Sequence, residues 1–305
     1  PKPFTNNTTT TNKGRRMNVI ELHRPSAHVA EVWLNRPEVR NAFNEELIAA
    51  LTQTFASLSA EPDLRVIVLG ARGKAFCAGA DLQAMAQGEN PNALHPEGDG
   101  PMGPTRMELS KPVIAAIEGY AVAGGLELAL WCDLRVAAED AVLGVFCRRF
   151  GVPLVDGGTV RLPRVVGMGH AMDMILTGRE VDAREARIMG LVNRMCPPGK
   201  ALETAMELAA QIARMPQQCM RSDRASAYEQ WSLDSDDALK NEFRRGMDVV
   251  TGSEMRQGVK NFMQGAGRHG STLGEKKKKN WGDNERGCTP IIVVPPPTGC
   301  ASRST

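Results

Sequence analysis

The sequence carries little net charge and lacks a cysteine pattern typical of a metal or disulfide site. Its 37 Lys and Arg residues are nearly balanced by 35 Asp and Glu, so the formal net charge is only +2. Such a weak field does not indicate a nucleic acid as partner. The seven cysteines form no CxxC pair and show no zinc-like spacing. They are interpreted as reduced thiols, which predicts an intracellular protein, cytoplasmic or mitochondrial, without a metal site.

The sequence also lacks an uninterrupted apolar run long enough to cross a membrane. The longest weakly polar stretch, Pro112–Cys132, contains Glu118, Glu127 and several glycines. A spanning helix tolerates such residues poorly. We therefore expect a strand, a loop and a buried helix in this stretch, and no membrane partner.

Both ends of the sequence differ in composition from the middle. Residues 1–16 contain a threonine and asparagine tract with basic residues, which predicts a disordered leader. The remnant of a mitochondrial transit segment is the alternative. Residues 271–305 contain the lysine run Lys276–Lys279 and a proline run, and they are predicted to form a disordered tail.

Strand-like and helix-like segments alternate between these ends. The apolar patterns predict strands at Met17–Leu22, His28–Leu34, Arg65–Leu69, Val113–Ile117, Leu134–Ala137 and Ala141–Val145. They predict helices at Asn44–Ser59, Asp81–Ala86, Gly125–Trp131, His170–Leu176, Asp182–Met189, Ala201–Ala213, Ala238–Val250 and Ser253–Gln264. Residues 88–104 are predicted to form a loop. The alternation followed by a helical region predicts an α/β architecture with covering helices.

Two glycine loops are the most informative part of the sequence. Lys74–Leu82 (KAFCAGADL) and Glu118–Glu127 (EGYAVAGGLE) each follow a strand-like run and lead into a helix-like stretch. A turn of this kind leaves backbone N–H groups unpaired at the helix start. Two such turns facing one another would hold a developing oxyanion between two donors, which predicts an acyl-transfer or enolate enzyme.

Glu127 lies about one helical turn beyond Gly124, in an otherwise apolar segment. A buried carboxylate has a raised pKa, which suits a general acid or base. The alternative is a structural ion pair with Arg135 or Arg148.

Several longer motifs accompany these loops along most of the sequence. They are LNRPEVRNAF (Leu34–Phe43), KAFCAGADL, the stretch Lys111–Gly144, GVPLVDGGTVRLPRVVG (Gly151–Gly167) and LTGREVDAREARIMGLVNRM (Leu176–Met195). Their combination resembles the crotonase, or enoyl-CoA hydratase/isomerase, superfamily. The resemblance implies an α/β fold, a crotonase-type spiral of ββα units over residues 17–200. It also implies a helical C-terminal region, residues 201–270, that packs between subunits of a homotrimer or dimer of trimers.

The resemblance also implies the site. The oxyanion-hole amides fall on Ala80 and Gly124, and the first catalytic glutamate falls on Glu127. The acyl-CoA substrate is expected to contact Ala42, Ala78, Gly79, Ala80, Asp81, Leu82, Gly124, Gly125 and Cys147. No cofactor is implied, since CoA is part of the substrate. Arg40 or Lys74 is a candidate for a phosphate contact, because Gln83 stands where a lysine is often found.

The sequence departs from the hydratase pattern at Cys147, where the second catalytic glutamate is expected. A thiol is a weak hydrogen-bonding group and does not reproduce that acceptor. Cys147 is interpreted as a small residue shaping the acyl pocket; the alternative is a nucleophile whose pKa Arg148 and Arg149 would lower. Asp156 is the candidate second catalytic acid, with a helix N-cap as the alternative.

Three functions are compatible with these motifs. The first is an enoyl-CoA hydratase that stabilises a thioester enolate. The second is an enoyl-CoA double-bond isomerase with Glu127 as its single base. The third is a non-catalytic homologue that binds CoA or RNA, although the lysine run is the only local support for RNA.

Overall fold

Two β-sheets form the centre of the protein. The computed structural model describes residues 18–87 and 94–266. The strands are β1 Ile20–Ser26, β2 Val29–Leu34, β3 Val66–Ala71, β4 Ala75–Cys77, β5 Val113–Ile117, β6 Tyr120–Val122, β7 Leu134–Ala138, β8 Val142–Gly144, β9 Val181–Asp182 and β10 Arg194–Cys196. One sheet has the order β1-β2-β3-β5-β7-β10 and the other β4-β6-β8-β9. Only β1 with β2 and β8 with β9 pair antiparallel; the other pairs are parallel.

The order of the strands confirms the expected spiral of ββα units. The consecutive pairs β3–β4, β5–β6 and β7–β8 each place their first strand in the six-stranded sheet and their second in the four-stranded sheet. A helix then follows each pair. The helices are α1 Glu45–Ala60, α2 Leu82–Ala86, α3 Gly124–Trp131, α4 Gly158–Thr177, α5 Ala183–Ile188, α6 Ala201–Ala213, α7 Gln217–Glu229, α8 Ser235–Val250 and α9 Ser253–Met263. Repetition therefore brings the turns after β4 and β6 to the same end of neighbouring strands.

The central strands of the six-stranded sheet, β3, β5 and β7, are buried on both faces, as expected for parallel strands, whereas the antiparallel edge strand β1 is mostly exposed. Val66 and Val68 of β3 pack with α6, while Ile67 and Leu69 face the main core with Phe55 of α1. Side chains alternate along a strand, so one short apolar run supplies both cores.

Among the described helices, none is long and apolar enough to span a membrane.

The last three described helices differ from the rest because they contain no buried residue. The α7 helix is tied to the core by polar contacts: Arg224 Nε lies 2.6 Å from Asp133 Oδ1, and Tyr228 Oη donates to the same oxygen at 2.9 Å. Arg245 of α8 pairs with Glu229 of α7. These helices are therefore attached by hydrogen bonds and ion pairs more than by apolar burial.

Most predicted elements are confirmed. The short strands β4, β6, β9 and β10, with two or three residues each, are not predicted from the sequence. The first strand extends to Ser26, beyond its predicted end at Leu22, so the β1–β2 turn lies at residues 27–28. The helix predicted to begin at His170 belongs to α4, which begins at Gly158 and is interrupted at Gly167, where φ is 78°. Its glycines and Pro163 conceal the start, because both residue types are poor helix formers. The α7 helix was not predicted, since it lacks an apolar stripe.

The predicted leader and tail, residues 1–16 and 271–305, lie outside the described residues, as do residues 88–93 of the predicted loop. The division of the chain at residue 200 stays a prediction. Residues 94–103 contain no helix or strand, in agreement with the predicted loop.

Candidate active site

The two glycine loops are in contact, as the sequence predicts. Gly79 has a φ of +92°, a conformation that side chains disfavour, and a Cβ added there would lie 2.8 Å from the amide nitrogen of Gly124. Glycine is therefore required at this position for conformation and for space. The close approach places the end of the first loop directly beside the start of α3.

The amides of Ala80 and Gly124 are available as donors. On the strand side of the first loop, Phe43 N donates to Gly79 O at 2.8 Å and Asp81 N donates to Phe43 O at 3.0 Å. In this parallel pairing, the N–H of the intervening Ala80 points away from Phe43. Gly124 is the first residue of α3, where amides have no partner within the helix. Neither N–H has an acceptor among the described residues.

The Glu127 side chain is held beside these amides by the backbone at the start of α4. Its Oε1 accepts the N–H groups of Asp156 and Gly158, both at 2.8 Å. The carboxylate is only 3% exposed, and burial raises the pKa of Glu127 to about 7. The Gly158 amide opposes this rise in pKa, and the negative charge of Asp156 adds to it. A carboxyl with this pKa exchanges a proton readily near neutral pH.

The predicted alternative for Glu127, an ion pair with Arg135 or Arg148, is wrong. Arg135 donates to the carbonyl oxygens of Ala129, Cys132 and Leu191. Arg148 Nε donates to Ile175 O at 3.1 Å. Both guanidinium groups thus bind backbone carbonyl oxygens, and Glu127 is hydrogen-bonded by the two amides instead.

Asp156 is also buried, at 2% exposure, but its carboxylate contacts a different segment. Its Oδ1 accepts Met102 N–H at 2.8 Å and the Thr105 hydroxyl at 2.5 Å. Burial raises the pKa of Asp156, although these two hydrogen bonds oppose the rise. The predicted alternative, an N-cap, is wrong because Gly157 occupies that position of α4.

A cleft of about 750 Å³ connects these groups. Predicted site residues that line it are Ala78, Ala80, Leu82, Gly124, Glu127, Cys147 and Asp156. Its other walls are largely apolar, with Met102, Val122, Phe146 and Val152 among them. Arg40, one of the two candidates for a phosphate contact, also lines the cleft, whereas Lys74 does not. A long substrate with an apolar end and an anionic end fits such a cleft.

Four predicted contact residues do not line the cleft: Ala42, Gly79, Asp81 and Gly125. Asp81 caps α2 by accepting the Ala84 amide, and it lies 3.3 Å from Arg36. Gly125 packs so closely on Cys77 O that a Cβ would collide with that oxygen. These residues shape the loops from behind the cleft.

Cys147 lies in the cleft wall and is 8% exposed. Burial, followed by the charge of Glu127, raises the pKa of its thiol, and the smaller effect of Arg148 does not reverse this. The predicted lowering of this pKa is therefore wrong. A protonated thiol here is a poor nucleophile. Among the described residues, no cluster of His, Cys, Asp or Glu could hold a metal ion.

Two further residues of the site, Thr105 and Arg161, are not predicted from the sequence. Thr105 is fully buried beneath Asp156. Arg161 Nη1 donates to Asp156 O at 2.9 Å, and Nη2 donates to Thr105 O at 2.6 Å. The two residues are 56 positions apart, so no local motif links them.

The sequence matches one family of known proteins. Residues 24–283 match the family model described as enoyl-CoA hydratase/isomerase. The chain is therefore a member of the enoyl-CoA hydratase/isomerase family, the crotonase superfamily of acyl-CoA enzymes.

Individual relatives agree with this assignment. The chain is 38% identical over 243 residues to a putative enoyl-CoA hydratase of Thermus thermophilus, which covers 78% of this chain and 95% of the relative. It is 34% identical over 244 residues to the enoyl-CoA hydratase EchA19 of Mycobacterium tuberculosis, covering 78% and 91%. The crystal structure of enoyl-CoA hydratase EchA1 from Mycobacterium marinum superposes with a TM-score of 0.76, at 31% identity, covering 81% of this chain and 96% of that structure.

Proposed function

We propose that the protein hydrates 2-enoyl-CoA thioesters, with no cofactor beyond the CoA of the substrate. The thioester oxygen accepts the N–H groups of Ala80 and Gly124, which stabilise the enolate formed during the reaction. Each such donor contributes about 3–4 kcal/mol to transition-state stabilisation in comparable sites. Glu127 positions the attacking water and takes up its proton as oxygen bonds to C3 and the enolate forms; it then returns this proton to C2 as the enolate collapses.

The observation that carries this proposal is the position of Glu127. It lies one turn along the helix whose first amide is the proposed Gly124 donor, and it lines the same cleft as Ala80. Its Oε1 is occupied by two backbone donors, and Oε2 accepts no hydrogen bond from the described residues. A carboxylate anchored by one oxygen presents the other to water at a fixed distance from the oxyanion donors.

Hydration of crotonyl-CoA tests this function directly. The expected result is loss of the conjugated enoyl thioester and formation of 3-hydroxybutyryl-CoA by the wild type. The proposal would be contradicted if purified, folded wild type left crotonyl-CoA unchanged and also failed to consume 2-enoyl-CoA thioesters with longer acyl chains. Testing several acyl lengths prevents a mismatch of chain length from being read as inactivity.

One observation favours a second candidate, an enoyl-CoA double-bond isomerase. Cys147 lines the cleft in the position expected for the second glutamate. With a single carboxylate, Glu127 would move a proton along the acyl chain without adding water. Separate incubations with 3-enoyl-CoA and 2-enoyl-CoA distinguish the reactions, because only an isomerase converts the former to the latter without a hydroxyacyl product.

The remaining contacts follow from the same family membership. The CoA phosphates would lie near Arg40, and the other expected substrate contacts are the predicted residues that line the cleft: Ala78, Ala80, Leu82, Gly124 and Cys147. We further propose a homotrimer or dimer of trimers in an intracellular compartment, cytoplasmic or mitochondrial. Exposed apolar residues Leu239, Phe243 and Met247, which recur along α8, support an assembly through the C-terminal helices. Light scattering after size-exclusion chromatography tests it, and a monomer at micromolar concentration would contradict it.

A further inference from the structure

Asp156 joins two parts of the cleft that are far apart in sequence. Its backbone N–H donates to Glu127 Oε1, so its main chain fixes the proposed catalytic carboxylate. Its side chain accepts from Met102 and Thr105 of residues 100–106, here called the wall segment. One residue therefore contacts both the group that moves the proton and the wall of the acyl cleft.

Arg161 makes a second connection between the same two parts. Its guanidinium donates to the carbonyl oxygens of Asp156 and Thr105, at 2.9 and 2.6 Å. A planar guanidinium holds two acceptors in a fixed relative position. The backbone around Asp156 and the wall segment are thus linked twice, once through a carboxylate and once through a cation.

The wall segment in turn contacts the proposed oxyanion loop. Met102, whose amide is held by Asp156, places its Sδ where a Cβ on Gly124 would collide with it. A shift of Met102 would therefore change the packing directly against the Gly124 amide. A displacement of about 1 Å at a reacting group costs about 100-fold in rate.

The hydrogen bonds of the Asp156 side chain hold the wall segment, whereas those of Glu127 hold the start of α4. A hydroxyl and an amide both donate to Asp156 Oδ1, which uses the carboxylate as an acceptor inside the protein. Truncating it would leave two buried donors without a partner, whereas an amide of the same shape would still accept both. The contacts thus require the shape of this side chain and its acceptor oxygen.

We propose that Asp156 is a positioning residue: with Thr105 and Arg161 it fixes the wall segment against the loop that holds Glu127. This inference rests on the proposed function of Glu127. It assigns roles to Thr105 and Arg161 as well, and it replaces the direct acid role expected for Asp156 from the sequence.

The test compares Asp156→Asn with Asp156→Ala in the full chain. Asp156→Ala should lower kcat/KM by about 100-fold or more. Asparagine keeps the acceptor oxygen, so kcat/KM of Asp156→Asn should stay at least about tenfold higher than that of Asp156→Ala. Thr105→Val should lose about tenfold and Thr105→Ser should recover most of it. Equal losses in the asparagine and alanine variants would overturn the inference, because they would show that the ionisable group itself is needed.

Hydrogen–deuterium exchange over residues 100–107 provides a readout that does not depend on turnover. The Met102 amide should exchange faster in Asp156→Ala than in the wild type, and it should stay protected in Asp156→Asn. Unchanged exchange in the alanine variant would overturn the inference even if activity fell. If the wild type hydrated no enoyl-CoA but the exchange pattern appeared, the proposed function would fail while the positioning of the wall segment would stand.

Discussion

Two glutamates of this protein each accept two backbone amides at a helix start but lie in different surroundings. At the start of α6, Glu118 Oε2 accepts the N–H of Gly199 at 3.0 Å and Glu118 Oε1 accepts that of Ala201 at 2.8 Å. Glu127 accepts those of Asp156 and Gly158 at the start of α4. Glu118 is partly exposed and lies outside the cleft, whereas Glu127 is buried within it.

Attaching a helix start to a carboxylate does not by itself make that carboxylate a catalytic base. Both carboxylates fasten a helix start, and both interact favourably with the positive end of the helix dipole. Only Glu127 combines this anchoring with burial and with two neighbouring free amides. The reaction therefore depends on where the anchored carboxylate lies, and Glu118 provides a control for the structural part of its role.

The largest effect is expected for Gly79→Ala. The added Cβ would lie 2.8 Å from Gly124 N, so it should displace one proposed oxyanion donor. We expect about a 10³-fold loss of kcat. Gly199→Ala is the matched control in the Glu118 region, because Gly199 also has a positive φ (+78°) but its Cβ would meet nothing within 4 Å. Similar losses in both variants would show that backbone strain, and not the amide, determines the rate.

A smaller effect is expected when pH is varied. With the pKa of Glu127 raised to about 7, the ionised base is lost as the pH falls through that value. The wild-type kcat/KM should therefore fall about tenfold per pH unit below 7. Glu118→Gln should show the same profile. If kcat/KM did not change between about pH 5.5 and 8, the assignment of Glu127 as the base would be contradicted.

Stability should respond with opposite signs in the two regions. The folded-state pKa of Glu127 lies above its ordinary value of 4.5, so ionisation destabilises the fold as the pH rises from about 4.5 through 7. Glu127→Gln should be more stable than the wild type at pH 8, by on the order of 3 kcal/mol, and equally stable at pH 4. Glu118→Gln should instead lose about 1 kcal/mol at pH 8. Denaturant unfolding at both pH values checks this, and a destabilised Glu127→Gln at pH 8 would contradict the role of burial.

Local patterns in the sequence predict a large part of the fold and of the site. The glycine loops are identifiable because a strand, a glycine turn and a helix start lie within about ten residues. Asn44 and Asp81, which begin two of the predicted helices, cap α1 and α2 in the structure, as side chains of these types favour the N-cap position. The raised pKa of Glu127 follows from a single acid among apolar neighbours.

Contacts between distant segments could not be predicted in this way. Thr105 and Arg161 look ordinary in the sequence, and only the fold places both beside Asp156. The surroundings of Cys147 show the same limit, because neighbouring arginines suggest a lowered pKa while burial raises it. Burial depends on the whole chain, so its effect on a pKa is read from the structure.

The central claim is that the buried carboxylate of Glu127, and not its anchoring of α4, drives the reaction. The most direct measurement is kcat for 2-enoyl-CoA hydration in Glu127→Gln beside Glu118→Gln. Glu127→Gln keeps an oxygen that can accept both backbone amides, and Glu118→Gln keeps one of the two acceptors of Glu118, so both variants should stay folded. We predict a loss of at least about 100-fold in Glu127→Gln and less than about twofold in Glu118→Gln. A Glu127→Gln variant that hydrates at the wild-type rate would contradict the claim.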